Sequence, residues 1–140
     1  MSAEKTFDEI AIGDVVGPQE YLVDEKAIKD FVEYGLWDSK KFPMKGPYAP
    51  PGFSVTSHAR LSAEALGGPG VRVWAKSEHE YFQPVRLGGK IIKKGKIVDK
   101  YTKRGRDYFV TEIETFDEKG TLLFRSLETI MMSMRREEKP

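Results

Sequence analysis

From Val71 onward the chain alternates strand-forming runs with turns at Lys103-Arg104-Gly105 and Asp117-Glu118-Lys119-Gly120, and links that short join antiparallel neighbours. The spacing predicts strands over Val71–Trp74, Ser77–Pro84, Lys90–Tyr101, Arg106–Phe116 and Thr121–Met134. Within Asp107–Phe116 the alternation sets Phe109, Thr111, Ile113 and Thr115 on one face and Tyr108, Val110, Glu112 and Glu114 on the other. A sheet with one drier face has to cover it.

Two helices precede these strands. Asp24 is placed to cap a helix carrying Ala27, Ile28, Phe31 and Val32 on one side, and that helix ends near Gly35. A second helix, expected over Phe53–Leu66, spreads Ser54, Ser57, Ala59, Ser62, Ala63 and Ala65 around its circumference and is stopped by Gly67-Gly68-Pro69-Gly70. Small side chains on most sides let a surrounding sheet come close, which predicts a central helix. The expected fold class is α+β: one domain over 7–134, an antiparallel sheet of about five strands wrapped on a helix, and a polar tail over 135–140. Exposed edges and an uncovered far face would favour dimers. Upstream, Val15–Val23 shows strand-like patches interrupted by Gly17-Pro18.

At 140 residues the chain suits one domain with a real core. Lys and Arg number 23 against 22 Asp and Glu, so no overall field draws nucleic acid or an anionic membrane. The absence of Cys removes disulfides, thiolate metal sites and a thiol nucleophile. No apolar stretch is long enough for a membrane helix and the first residues lack a signal-like core, so a cytoplasmic protein is expected.

The stretch Gly46–Leu61 suggests chemistry. Pro50 and Pro51 hold the backbone extended, Gly52 lets it turn and approach another molecule, and a helix follows. Free N–H groups and the positive dipole end at such a helix mouth suit a carbonyl oxygen gaining negative charge. The same residues would equally serve as a plain start to a core helix. The segment from Leu36 to Pro51 is long for an unstructured loop, as functional loops often are.

Taken together, Phe7-Asp8-Glu9-Ile10-Ala11-Ile12-Gly13-Asp14, Ala49-Pro50-Pro51-Gly52-Phe53, Glu80-Tyr81-Phe82-Gln83-Pro84-Val85-Arg86-Leu87-Gly88 and the hairpins through Asp117–Gly120 resemble the MaoC-like hot-dog-fold dehydratases, nearest their N-terminal, fatty-acid-synthase-like branch. The resemblance runs from Phe7 to Met132. It implies a hot-dog fold, paired hot-dog units and reversible hydration of 2-enoyl thioesters of coenzyme A or an acyl carrier. It further implies that the amide at Gly52 polarises the thioester carbonyl. No cofactor beyond the thioester substrate is implied.

In that family an Asp-x-x-x-x-His pair before the central helix holds the water and moves its proton. Here the candidate aspartate is Asp38, and five residues on stands Pro43, which carries no proton. The two histidines, His58 and His79, lie elsewhere. The expectation is therefore a subunit that shapes the acyl site while a second hot-dog chain bearing Asp-x-x-x-x-His, or a homodimer mate, completes it. Asp38 and Gly52 are the catalytic candidates; Tyr48, Phe53, Phe82, Arg104 and Arg106 are the substrate-binding ones, the arginines with Lys93, Lys94, Lys96, Lys100 and Lys103 as possible holders of coenzyme A phosphates. Those cations are also what a solvated sheet face and hairpin tip look like. His58 suits a satisfied core or interface histidine, and His79 alternates away from the flanking Glu78 and Glu80, which disfavours a metal. Two other readings stay open: a thioesterase using Glu64, and a subunit that binds acyl thioesters without chemistry.

Overall fold

Alternation and turn chemistry produce the sheet that positions everything else. The structure is a computed structural model describing residues 5–34, 47–50, 52–55, 57–66 and 72–132. After a short helical turn at Phe7–Glu9, the elements are β1 (Val15–Leu22), α1 (Glu25–Tyr34), α2 (Ser57–Leu66), β2 (Val73–Tyr81), β3 (Lys90–Lys103), β4 (Arg106–Asp117) and β5 (Leu122–Met131). The five strands form one antiparallel sheet, as expected, and their order is β1-β3-β4-β5-β2. The expected tail over 135–140 lies outside the described residues. Among the described residues no helix is long and apolar enough to cross a membrane.

Local signals explain the joints. Asp24 Oδ1 accepts the Ala27 amide hydrogen at 2.8 Å, capping α1. Between β3 and β4, Arg104 and Gly105 both take positive φ, 52° and 73°, the twist a two-residue hairpin loop requires.

The structure corrects three boundaries. The two short strands expected around Val71–Pro84 are one strand, β2, with a register shift between Trp74 and Lys76. β1 likewise runs through Gly17-Pro18, with a shift between Val16 and Gln19; it is an outer strand, where a residue without an N–H costs no ladder bond on its free side. α2 begins at Ser57 rather than Phe53, because hydrogen-bonded turns from Phe53 N–H to Pro50 O and from Val55 N–H to Gly52 O occupy the preceding residues. Ser54 adopts φ 72° there, outside helical geometry.

The inward face of the sheet carries two apolar clusters. One gathers Ile10, Val16, Leu61, Leu66, Ile97, Phe109, Ile113 and Met132; the other Val23, Ile28, Phe53, Val85, Ile91, Leu123 and Phe124. α2 buries His58, Leu61 and Leu66 and leaves Ala59, Arg60 and Glu64 exposed, so it is covered on one side rather than all round. Gly95, opposite Ile113, has no room for a side chain: an added Cβ would run into the Glu112 carbonyl oxygen of β4. Gly95→Ala is therefore expected to cost about 1–3 kcal/mol of stability, read as a lower urea midpoint. An unchanged midpoint would contradict that close approach.

Candidate functional site

The turn before α2 and the end of β2 frame an open apolar cleft of about 430 Å³. Gly52, Phe53, Tyr81, Phe82, Gln83 and Phe124 are among its walls. Tyr48 pairs with Arg86 as an isolated bridge, and Ala49 N–H donates to Val85 O at 2.8 Å, which anchors the segment leading to the turn. Gly52 adopts φ 84°, where other residues are strained. Its amide lies near the phenol oxygen of Tyr81 and partly offsets the rise that burial gives the Tyr81 pKa. The amide thus has a polar atom beside it in the cleft, and that atom is a tyrosine oxygen.

The other expected site residues divide by place. Phe53 is buried, meets Phe31 edge-on and lines the cleft with the half-exposed Phe82, whose ring lies under the Arg125 guanidinium. Tyr48 stacks beneath Arg86 outside the cleft wall. Arg104 and Arg106 stand at the β3–β4 hairpin, whereas the cleft wall at Phe124 pairs with Thr115, itself opposite Lys93. A separation of ten residues along β3 corresponds to roughly 33 Å of strand rise, so within one chain these arginines do not meet the cleft. Asp38 lies outside the described residues. Glu64 takes a contact of 3.2 Å from Arg60 on the outer side of α2 and borders no part of the cleft.

Between the two apolar clusters lies a buried polar layer that sequence reading did not assemble. His58 Nδ1 is 2.8 Å from Glu128 Oε1, and Lys93 Nζ is 2.8 Å from both His58 Nε2 and Thr115 Oγ1. Lys93 is 0% exposed, His58 1% and Glu128 3%. The Lys93 amine also sits 4.5 Å over the Phe124 ring, against which His58 stacks. While Lys93 is an ammonium it can only donate to Nε2, which puts the ring proton on Nδ1, donated to Glu128. Burial holds His58 down at about 2, aided by Lys93 and His79, so the imidazole is neutral. Burial pulls Lys93 down to about 7 against Glu128, and pushes Glu128 up to about 7 against His79 and Lys93. His79 is separately occupied, with Nδ1 2.7 Å from Ser126 Oγ. Neither histidine lines the cleft.

Periodicity held the signal for this layer. Ile91, Lys93 and Ile97 share one parity of β3, as Phe124, Ser126 and Glu128 do on β5, so Lys93 and Glu128 fall on the core face.

No family model matches the chain. No curated protein matches it either. Solved structures do: a monoamine oxidase regulatory protein from Archaeoglobus aligns over 94% of this chain and 95% of its own with a TM-score of 0.76 at 16% identity. The R-hydratase PhaJ1 from Pseudomonas aeruginosa covers 92% and 86%, TM-score 0.71, 17% identity. The HadBC (3R-hydroxyacyl-ACP dehydratase) complex from Mycobacterium tuberculosis covers 86% and 96%, TM-score 0.68, 17% identity. The chain has the hot-dog fold. Its neighbours in that fold include MaoC-like dehydratases and (R)-hydratases. The hot-dog domain here keeps the turn and cleft at Gly52, while both of its histidines are committed elsewhere.

Proposed function

We propose that this chain is the acyl-binding unit of an enoyl-thioester hydratase/dehydratase whose proton-handling Asp/His pair is supplied by a second hot-dog chain. The observation that carries this reading is a cleft with the Gly52 amide, apolar walls and neither of the chain's two histidines. Hydration adds water oxygen to C3 and a proton to C2 of the enoyl group, passing through negative charge on the thioester oxygen. An amide N–H aimed at that oxygen stabilises the charge as it develops. Moving the two protons requires an acid and a base, and among the described cleft walls Tyr81 is the one titratable side chain, so no pair is present. That a fold neighbour, the HadBC complex, is a 3R-hydroxyacyl-ACP dehydratase supports the reading. Glu64, held by Arg60 away from the cleft, gives no support to a thioesterase.

The test is paired. The chain alone is expected to bind an acyl-CoA by calorimetry yet leave the enoyl chromophore of crotonyl-CoA unchanged, with hydration appearing when a hot-dog chain carrying Asp-x-x-x-x-His is added. Rapid hydration by the chain alone, or no acyl-CoA binding, would overturn the proposal. Because the Tyr81 oxygen lies near the Gly52 amide, Tyr81→Phe is expected to tighten acyl-CoA binding several-fold by leaving that donor to the ligand. Gly52→Ala, strained at φ 84°, is expected to weaken binding by about tenfold, since misplacing one hydrogen bond is worth about 1.4 kcal/mol.

A further inference from the structure

A second cavity, of about 260 Å³, shares no lining residue with the Gly52 cleft. It lies between α2 and the inner side of β2, β4 and β5. Ala59 and Ala63 leave the space open, while Trp74, Phe109 and Ile130 give it apolar walls. Its polar lining is supplied by His58, Ser62, Arg72 and Glu128. The Glu128 side chain is 4% exposed; its Oε1 is taken by His58, and its Oε2 is buried with no hydrogen-bond partner. A buried carboxylate oxygen in that state carries an uncompensated desolvation penalty, which a donating ligand would relieve.

We propose that this cavity is a binding site for a small flat aromatic molecule carrying one neutral N–H or O–H donor, its ring held between α2 and the Trp74 and Phe109 walls and its donor directed at Glu128 Oε2. The donor is neutral because the Arg72 guanidinium is already part of the cavity lining, and a charged donor would meet its like charge there. This site is independent of the acyl cleft and does not require the hydratase reading.

Indole and benzofuran, equal in shape but offering an N–H donor and an ether acceptor respectively, make the test by calorimetric titration at pH 8 on the full chain. Indole is expected to bind saturably at one site and benzofuran at least tenfold more weakly. In Glu128→Gln the amide carbonyl must keep accepting from His58 Nδ1, so its NH₂ turns to the cavity and the preference should reverse. Ala63→Leu, which fills the space, should abolish indole binding, and it keeps the test decisive should Glu128→Gln fail to fold. Equal affinity of the wild type for the two probes, no indole binding up to its solubility, an unreversed preference in folded Glu128→Gln, or undiminished indole binding by Ala63→Leu would each overturn the proposal.

Discussion

His58→Leu is expected to cost about 3–5 kcal/mol of unfolding free energy, a loss on the scale of a whole small domain's margin. The size follows from what the imidazole does: it is the one group bonded to both Glu128 and Lys93, and each of these is buried. Leucine fills the space but leaves a carboxyl and an amine desolvated, with only the Thr115 contact remaining to Lys93. If the layer matters through its polarity rather than its packing, removing all three polar groups should be far milder. His58→Leu, Lys93→Met and Glu128→Leu combined are expected to regain most of the single variant's loss, since apolar replacement of a buried ionic triad is often neutral or stabilising. Urea denaturation of the single, paired and triple variants measures this directly. Losses that simply add across the three sites would mean that the groups do not act as a unit.

Why a fold would keep such a layer is answered by the sheet's pattern. Lys93, Thr115, Ser126 and Glu128 occupy inward positions across three adjacent strands, and only His58 reaches them from α2. A slip of one residue in β3 would turn Lys93 to solvent and carry Ile91 and Ile97 out with it. The polar layer therefore adds a register requirement to one the flanking isoleucines already impose. It also fixes α2 against the sheet at the helix's first turn, next to the turn that presents the Gly52 amide. The Gly52 cleft and the buried triad meet at Phe124, whose ring lines the cleft while touching His58, Lys93 and Tyr81.

The architecture was legible because it depends on patterns that repeat. Alternation in β4 placed Phe109, Thr111, Ile113 and Thr115 inward, and all four are buried. Asp24 before an amphipathic run marked the start of α1. Boundaries failed where tertiary context overrode local grammar: Pro18 reads as a break, yet an outer strand accommodates it. The cleft was half legible. Gly52, Phe53 and Phe82 converge there, whereas Arg104 and Arg106 follow β3 and β4 to the far end of the sheet. The triad was not legible, because its members are joined by strand parity and tertiary contact rather than by nearness in sequence. Lys93 was grouped with Lys94 and Lys96 by nearness in sequence, although strand parity separates Lys93 from both. Glu128 and His58 are 70 residues apart, so nothing local joins them.

The same burial sets the largest expected pH effect. Lys93 holds its proton only to about 7 in the folded chain, against 10.5 for an ordinary lysine. Between those values the unfolded chain binds a proton that the native state has released, so the contribution of Lys93 to stability must rise with pH. Below about 7 both states are protonated, and the cost of burying an ammonium is at its full value. The comparison with Lys93→Met isolates this, because background titrations common to both proteins cancel. Losing the lysine also removes a pull that lowers Glu128, which can only make the variant worse as the carboxyl ionises, so the second effect has the same sign. The stability of wild type minus that of Lys93→Met is thus expected to be flat below pH 7 and to climb above it. The lysine's own part of the slope has a limit of about 1.4 kcal/mol per pH unit, or about 4 kcal/mol by pH 10. Denaturant midpoints across pH 6 to 10 provide the measurement. A difference that stays level through that range would mean that the amine keeps its proton in the core, in which case attraction to Glu128 outweighs desolvation and the triad is a true buried ion pair.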